Sequence, residues 1–324
     1  MGTSLILFAI GLVLLIKGGD WFVDGATGIA KRFNLPDIVV GATVVSIGTT
    51  LPEVMVSTTG ALQGSGAMAY GNAIGSIICN TALIAAISIM VNPGPVNVKS
   101  MKTPAIFFFC SAALYCVAAY ALGTFPQWMG FVMLAIFVVY TVLTVRNGLS
   151  NPDSAEEEEE KGGKPKKLWQ ELLLLVIGAA VIAVGADLLV EHGQIIAIGL
   201  GVPETVVALL FVALGTSLPE LVTTITSLKK GRASLGVGNV IGANVFNLVL
   251  VSGVAVSLAP FDVPVENTLL DTGLNLSLVF DIPVMLGVMS LMIFPAMLGK
   301  KLSRWQGIAL LCIYAAFVVC QFIL

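Results

Sequence analysis

The sequence is poor in charge. Asp, Glu, Lys and Arg make up only 11% of its 324 residues, and it contains a single histidine. By contrast, 57% of the residues are hydrophobic and the mean hydropathy is +0.99, both above the usual range of water-soluble globular proteins. The composition therefore excludes a soluble domain and predicts a polytopic membrane protein whose surroundings are the lipid bilayer. We expect no nucleic-acid partner.

Motifs for zinc, redox and calcium-loop chemistry are also lacking. The single histidine and the five scattered cysteines match no zinc or redox spacing. We interpret the cysteines as packing residues: Cys79, Cys110, Cys116, Cys312 and Cys320. The run EEEEE lacks the Asp, Asn and Gly spacing of a calcium-binding loop and is interpreted as a solvated surface. No enzyme activity, cofactor or protein partner is predicted, and a monomer is compatible with the sequence.

Apolar stretches long enough to cross a membrane recur ten times along the chain. They lie at about 3–29, 37–61, 67–92, 104–122, 127–146, 169–191, 204–228, 234–259, 275–295 and 305–323. The polar segment RNGLSNPDSAEEEEEKGGKPKK separates the fifth span from the sixth and cannot bury a core. The predicted fold is therefore all-α with ten transmembrane helices. Residues 1–147 form the first five-helix half, 148–168 a loop, and 169–324 the second half.

Basic residues are distributed unevenly between the predicted loops. All Lys and Arg except Lys17, which lies inside the first span, fall on loops that follow odd-numbered spans. The even-numbered loops and both termini have none. Because an excess of Lys and Arg marks cytoplasmic loops, the odd-numbered loops are predicted to be cytoplasmic. We therefore predict a multi-pass protein of the cell membrane with both termini extracellular or periplasmic.

The two halves repeat each other at one fixed offset. GTTLPE at 48–53 returns as GTSLPE at 215–220, and GNAIGSIICN at 71–80 returns as GNVIGANVFN at 238–247. The two copies of each motif are 167 residues apart, and this separation is called the repeat offset below. Each half holds five spans, an odd number, so the second copy enters the membrane from the opposite side. The sequence therefore predicts two inverted five-helix repeats, an arrangement typical of transporters with a site at the bilayer midplane.

A proline and a glutamate interrupt the second and seventh spans. Pro52 cannot donate a hydrogen bond to the carbonyl of Gly48, so a kink or unwound turn is expected there, and Pro219 repeats the effect. The break frees carbonyl oxygens beside one carboxylate in each copy, Glu53 and Glu220. Four hydroxyl-bearing residues lie next to these breaks: Thr49, Thr50, Thr216 and Ser217. Carboxylate, carbonyl and hydroxyl oxygens together suit sodium and calcium.

The third and eighth spans each carry a polar stripe at a spacing of four residues. The stripes consist of Asn72, Ser76 and Asn80 in the first copy and Asn239, Ala243 and Asn247 in the second. Glycines beside them permit close approach of a neighbouring helix: Gly71, Gly75, Gly238 and Gly242. These amides and hydroxyls could equally be interhelical hydrogen-bonding groups. Their duplication together with the glutamates and prolines favours a second wall of the ion site.

These segments resemble the α-repeats of the cation/calcium antiporter superfamily, and specifically of its sodium/calcium exchanger family. The resemblance rests on GATVVSIGTTLPEVMVSTTGAL with GNAIGSIICN and on VALLFVALGTSLPELVTTITSL with GNVIGANVFN. The five-plus-five layout extends it across nearly the whole chain. It implies a sodium/calcium antiporter, working by alternating access and extruding calcium, with one calcium site and several sodium sites between the two broken helices.

The resemblance also implies a role for each site residue. Glu53 and Glu220 would be shared by all ions, with the carbonyls of Thr49 and Thr216 completing the calcium site. The inner sodium site would be lined by Ser46, Thr50 and Ser76. The outer sodium site would be lined by Ala213, Thr216 and Ser217. Asn80 and Asn247 would close the centre.

Two departures from the family pattern bear on the ions. Some prokaryotic relatives have aspartate at the position of Asn247, and potassium-dependent relatives use aspartate in this neighbourhood, so the asparagine argues against potassium coupling. Some have serine at the position of Ala243, so this chain lacks one hydroxyl at the outer sodium site. The sodium stoichiometry therefore stays open.

Two other functions fit the same scaffold. Two carboxylates can be neutralised by two protons as well as by one calcium ion, which would make a proton/calcium antiporter. Inverted repeats with broken helices also serve ion channels, although paired carboxylates hold calcium tightly and favour a carrier. Outside the site, local ion pairing is expected for Lys17, Asp20, Asp24 and Asp187, whereas Asp281 has no predicted partner.

Overall fold

The structure, a computed structural model, describes residues 2–150, 167–200, 215–264 and 275–323. These residues form eleven helical segments, several of them long. They are α1 (Gly2–Arg32), α2 (Asp37–Thr49), α3 (Leu51–Leu62), α4 (Gly66–Val91), α5 (Val98–Leu122), α6 (Gln127–Leu149), α7 (Leu168–Gly199), α8 (Leu218–Lys229), α9 (Ala233–Leu258), α10 (Ser277–Gly299) and α11 (Arg304–Ile323).

Eight of the described helices are long and apolar enough to cross a membrane, and α2 with α3 forms a ninth, bent candidate. The mostly helical, polytopic architecture predicted from the composition is thereby confirmed. The seventh predicted span, 204–228, is described only from residue 215 onwards, where it contains α8. The count of ten spans therefore stays a prediction, as do the boundaries 1–147, 148–168 and 169–324.

Polar caps and left-handed residues set several helix ends. The Asn97 side chain accepts hydrogen bonds from the N–H groups of Lys99 and Ser100 at the start of α5. Gly64 after α3 and Gly231 after α8 have φ of +83° and +71°, values that glycine adopts without steric cost. These two glycines are related by the repeat offset, so equivalent helices in the two halves end in the same way.

Four two-residue strands depart from the all-α prediction. They are β1 (Gly94–Pro95), β2 (Thr124–Phe125), β3 (Phe261–Asp262) and β4 (Lys301–Leu302). β1 pairs with β4 and β3 pairs with β2, both antiparallel, so each pair joins one half of the chain to the other. The strands lie between helices, where the backbone groups have no helical partner.

One further hydrogen bond extends each strand pair. The N–H of Val96 donates to the carbonyl of Lys300 over 3.0 Å. At the equivalent place, the N–H of Val263 donates to the carbonyl of Gly123, also over 3.0 Å. Lys300 and Gly123 both have positive φ, of +51° and +69°. The two connections therefore share one backbone design, although only one of them uses glycine.

Helices α1 and α7 pack together through glycine. A Cβ atom on Gly11 would lie 2.9 Å from the carbonyl oxygen of Gly185, and one on Gly185 would lie 2.9 Å from that of Gly11. Real Cβ atoms do not approach so closely, so both positions require glycine for this contact. Small residues allow such close backbone approach between membrane helices. The pair α1–α7 is therefore a tightly fitted unit beside the rest of the bundle.

The glycines beside the polar stripes behave differently in the two halves. A Cβ on Gly238 would clash with the carbonyl oxygen of Ile38, and one on Gly242 with the Ser46 hydroxyl, which confirms the close approach of α9 to α2. A Cβ on Gly71 or Gly75 would meet no described atom within 4 Å. The predicted close approach is therefore absent from the described part around α4. The segment equivalent to α2, at 204–216, is described only from residue 215.

Candidate ion-binding site

The breaks predicted at the two prolines are present. Helix α2 ends at Thr49, α3 begins at Leu51, and the two axes differ by 45°. Thr50 at the break has φ −84° and ψ −2°, and Ser217 before α8 has φ −87° and ψ 2°. A proline lies in the first turn of α3 and of α8, where its missing N–H costs no helical hydrogen bond. The expected kink is therefore confirmed in the first copy, and the second restarts with the same backbone.

Two glutamates occupy the first turns of these restarted helices. Glu53 and Glu220 are both fully buried, and none of their four carboxylate oxygens has a hydrogen-bond partner among the described residues. The two carboxylates are close enough to interact electrostatically. Burying unpaired charge is costly, and a neighbouring like charge adds to the cost. A bound cation would offset both costs.

Neutral oxygen donors surround the two carboxylates. Buried polar atoms without a described partner are found on Thr50, Ser217, Asn80 and Asn247. Asn80 and Asn247 each begin a π-helical stretch, Asn80–Ala85 and Asn247–Val251. Such stretches are rare and often occur at functional sites. Four of the predicted neutral ligands thus have polar atoms still available to an ion.

The hydroxyls of Ser46 and Thr49 lie within hydrogen-bonding distance of the opposite half. Ser46 Oγ lies 2.7 Å from the carbonyl oxygen of Gly41 and 2.9 Å from that of Asn239, so the hydroxyl donates to one of them. The Thr49 hydroxyl donates to Asn239 Oδ1 over 3.1 Å. Both oxygens keep lone pairs that a cation could use. The predicted ligand Ser76 is also buried.

An equivalent contact joins the halves in the other direction. The Thr216 hydroxyl donates to Asn72 Oδ1 over 3.4 Å, and these residues correspond to Thr49 and Asn239 at the repeat offset. The Asn72 amide also donates to the carbonyl of Glu53 over 3.2 Å and to the hydroxyl of Ser57 over 2.8 Å. Asn72 and Asn239 therefore hold the broken helices to α4 and α9.

Some predicted residues find partners that the sequence did not indicate. Lys230 Nζ lies 2.7 Å from Asp24 Oδ1 and 3.5 Å from Asp20 Oδ1, so these acids pair across the fold rather than with Lys17. Asp281 accepts hydrogen bonds from the Ser277 hydroxyl and the Gln321 amide. These interactions account for acidic side chains outside the site. Ala213, predicted at the outer sodium site, lies outside the described residues.

The charge of the site comes from two groups. Within the described ranges, no set of three His, Cys, Asp or Glu side chains is grouped closely enough to hold a metal ion. The arrangement around Glu53 and Glu220 therefore offers two negative charges together with neutral oxygens. Such a site suits hard cations that use carbonyl and hydroxyl ligands, as sodium and calcium do.

Comparison with known proteins decides the family. The family model described as "Sodium/calcium exchanger protein" matches residues 3–146 and 171–323, which is most of the chain. The chain belongs to the sodium/calcium exchanger family. This is a family of membrane transporters rather than enzymes, and the match confirms the resemblance inferred from the two repeated segments.

Two relatives and one solved structure match this chain over nearly their whole length. An uncharacterized membrane protein of Methanocaldococcus jannaschii is 34% identical over 309 residues, covering 95% of this chain and 94% of the relative. The sodium/calcium exchanger MaX1 of Methanosarcina acetivorans is 30% identical over 355 residues, covering 99% of each. Among solved structures, the sodium-calcium exchanger NCX_Mj soaked with sodium and strontium matches with a TM-score of 0.79, 30% identity and 98% of each chain covered. The family member described here shares that fold.

Proposed function

We propose that the protein is a secondary antiporter that exchanges sodium for calcium across the membrane. The observation that carries the proposal is the pair of buried carboxylates, Glu53 and Glu220, whose oxygens have no described hydrogen-bond partner. Membership of the exchanger family and the similarity to MaX1 and NCX_Mj support sodium and calcium as the ions. Intramembrane carboxylates commonly mark ion pathways.

We propose ten membrane-spanning helices arranged as two inverted repeats that alternate access to the central site. Support comes from structural details that recur at the repeat offset. These include the turns at Gly64 and Gly231, the π-helical starts at Asn80 and Asn247, and the strands β1 and β3. Inverted repeats can exchange conformations when one bundle rocks against the other around a fixed site.

Within the site, Glu53 and Glu220 bind every ion. The carbonyls of Thr49 and Thr216 complete the calcium site. Ser46, Thr50 and Ser76 line the inner sodium site. Ala213, Thr216 and Ser217 line the outer one. Asn80 and Asn247 close the centre.

Charge explains why the two ions exchange. A site with two carboxylates is neutral with one calcium ion or with two sodium ions bound. Without an ion, two negative charges would have to remain in a low-dielectric interior while the helices rearrange. The loaded forms therefore change conformation more readily than the empty form. Because both ions use the same carboxylates, binding of one excludes the other, and their movements are coupled.

We propose the cell membrane as the location, with both termini outside and calcium extruded by an inward sodium gradient. The basic residues on odd-numbered loops support this orientation. Cysteine placed at Asp262 or at Lys300, in a chain without native cysteines, tests it because both positions are exposed. An impermeant thiol reagent added outside intact cells should label the cysteine at 262 and not the one at 300. The opposite pattern contradicts the orientation.

The exchange itself is tested by calcium-45 uptake into proteoliposomes. An outward sodium gradient should drive uptake, whereas a proton gradient alone should not. The same assay with and without potassium checks the expected independence from potassium. Uptake driven by protons in the absence of sodium would favour the proton/calcium antiporter and overturn the proposal.

A further inference from the structure

A stripe of buried hydroxyls runs along α8 from the carboxylate site. Thr223, Thr224 and Ser227 follow Glu220 at spacings of three, four and seven residues, so all four side chains lie on one helix face. Each of the three hydroxyl residues is buried, and none of their hydroxyls has a hydrogen-bond partner among the described residues. Buried polar groups usually have a partner, so three unpaired hydroxyls in a row need an explanation.

Helix geometry does not explain them. Two other buried hydroxyls in this protein bond to the carbonyl four residues earlier, since Thr43 donates to Val39 over 2.7 Å and Ser257 donates to Gly253 over 2.6 Å, whereas the isolated hydroxyls of Ser111 and Thr144 have no described partner. The equivalent helix α3 has Val56, Ser57 and Gly60 at the corresponding positions. Of these, Ser57 accepts a hydrogen bond from Asn72. The repeated fold therefore does not require unpaired hydroxyls here.

The face that packs α8 against α1 is a different one. A Cβ atom on Gly19 would lie 2.7 Å from Val222 Cγ1 and 2.9 Å from Thr226 Oγ1. Val222 and Thr226 therefore contact α1, whereas the hydroxyl stripe lies on another side of the helix. The stripe is separate from the contact with α1, and it faces α9, where a Cβ atom on Gly236 would lie 3.2 Å from Thr224 Cγ2.

Ion pairs surround the end of α8 to which the stripe leads. Lys230, the residue after α8, pairs with Asp24 and Asp20 of α1. Two residues later, Arg232 Nη1 lies 3.1 Å from Asp37 Oδ2 at the start of α2, and both side chains are buried. These pairs attach the end of α8 to two helices of the other half.

The opposite end of the molecule has different residues at the equivalent positions. Lys230 corresponds to Gln63 and Arg232 to Ser65, so both cations are replaced by neutral residues. The acid Asp20 nevertheless corresponds to another acid, Asp187. The charge pairing is thus specific to the end of α8, which the distribution of basic residues places in the cytoplasm.

We propose that the hydroxyls of Thr223, Thr224 and Ser227 line the cytoplasmic leg of the cation path, and that the ion pairs of Lys230 and Arg232 hold its mouth closed in this conformation. This inference rests on the proposed exchange function. Hydroxyl oxygens replace part of the hydration shell of a sodium or calcium ion as it moves between Glu220 and the cytoplasm. Opening the path requires the end of α8 to separate from α1 and α2.

Accessibility of the stripe tests the closed mouth without any transport assay. Ser227→Cys, in a chain whose native cysteines are replaced, is exposed to an impermeant cationic thiol reagent in inside-out vesicles. Adding Lys230→Gln should raise the labelling rate at least about fivefold, the lower end of ordinary conformational coupling. Lys229→Gln is the matched control because it removes the same charge one residue away, from an exposed side chain without an ion pair among the described residues. Equal rates in the two variants would overturn the closing role.

Removal of the hydroxyls tests the path. Thr223→Val, Thr224→Val and Ser227→Ala should together lower the maximal sodium-driven calcium flux about tenfold or more, because the ion then crosses a higher barrier and the rate falls exponentially with barrier height. Thr226→Val is the control, because it makes the same change on the face that contacts α1. Unchanged flux in the triple variant, or an equal loss in the control, would overturn the path.

The two experiments separate this inference from the proposed function. If the unmodified protein exchanges sodium for calcium and Ser227→Cys stays unlabelled in the Lys230→Gln background, the path is wrong and the function stands. If labelling responds as expected but no sodium-driven calcium flux is seen in the unmodified protein, the exchange function is wrong. In that case sodium and calcium can no longer be assigned as the ions that use the path.

Discussion

The two halves of the site share the backbone of the break and differ in their neutral ligands, since Ser46 and Ser76 of the first copy correspond to Ala213 and Ala243. Thr50 and Ser217 have nearly the same φ and ψ, and Glu53 and Glu220 are equally buried. The second stripe, however, has Ala243 where the first has Ser76. The shared part supplies the two charges that a calcium ion needs. From this difference we expect the capacity for sodium, which depends on neutral oxygens, to change in one half without disturbing the proposed calcium site.

The largest effect is expected from removing the shared charges. Glu53→Gln and Glu220→Gln should each lower sodium-driven calcium uptake by more than about a hundredfold, because the amide keeps the shape but loses the charge that binds the ion. The halves should be equally sensitive. Calcium-45 uptake into proteoliposomes measures the loss, and size-exclusion elution in detergent checks that the variants fold.

Another intramembrane carboxylate provides a control for the two glutamine variants. Asp281→Asn removes a charge from a side chain that hydrogen-bonds Ser277 and Gln321, outside the site. It should keep most of the uptake activity. Near-normal transport by either glutamine variant would contradict the assignment of the two glutamates as ligands.

The response to membrane potential tests whether the two halves together bind three sodium ions or two for each calcium ion. Two sodium ions balance the two carboxylates, whereas a third leaves the site with one positive charge. Three-for-one exchange would therefore shift the equilibrium calcium ratio about fiftyfold for 100 mV, at about 2.3 kcal/mol per charge. Valinomycin and potassium set the potential once potassium transport is excluded. We expect this electrogenic behaviour, and flux that ignores the potential would favour two-for-one exchange.

The two asparagines that join the halves should differ in their effect on stability. Asn239 is fully buried and accepts from Thr49, whereas Asn72 is only partly buried and accepts from Thr216 over a longer distance. Removing a buried hydrogen-bond partner costs about 1–3 kcal/mol, so Asn239→Ala should destabilise the protein more than Asn72→Ala. Thermal unfolding of the purified variants measures the difference. A lower melting temperature for Asn72→Ala would reverse the comparison.

The smallest effect is expected from making the two stripes alike. Ala243→Ser restores a hydroxyl at the position equivalent to Ser76, and should improve the apparent sodium affinity by about threefold, since one neutral hydrogen-bonding group contributes about 0.5–1.5 kcal/mol. Calcium affinity should stay the same. Sodium dependence of calcium flux measures both values, with Ser76→Ala as the reciprocal variant. An unchanged sodium affinity would mean that this hydroxyl does not bind the ion.

The sequence predicts the breaks and the carboxylates because their causes are local. Pro52 and Pro219 lack an N–H group, so each interrupts helical hydrogen bonding whatever its surroundings. A glutamate inside an apolar run needs a cation or a hydrogen-bonding partner. The constant repeat offset then pairs the two copies. For these reasons the bent helix and the family could be identified from the sequence.

Other features could not be predicted because they depend on contacts between distant residues. Lys230 pairs with Asp24 because α8 ends beside α1. No local sequence pattern indicates that these two helices lie next to each other. The sequence shows Asn72 and Asn239 as members of a polar stripe, but their hydrogen bonds to the opposite half depend on the relative position of four helices. The strand pairs likewise depend on which connections between helices lie next to each other in the folded protein.

The reciprocal strand pairs also constrain how the protein is made. β1 emerges from the ribosome with the first half of the chain, but its partner β4 lies between the last two helices. At about 5–20 residues per second, synthesis leaves β1 without its partner on the order of ten seconds or more. The N-terminal half therefore cannot complete its own connections, and maturation of the whole molecule waits for translation of the final hairpin of helices.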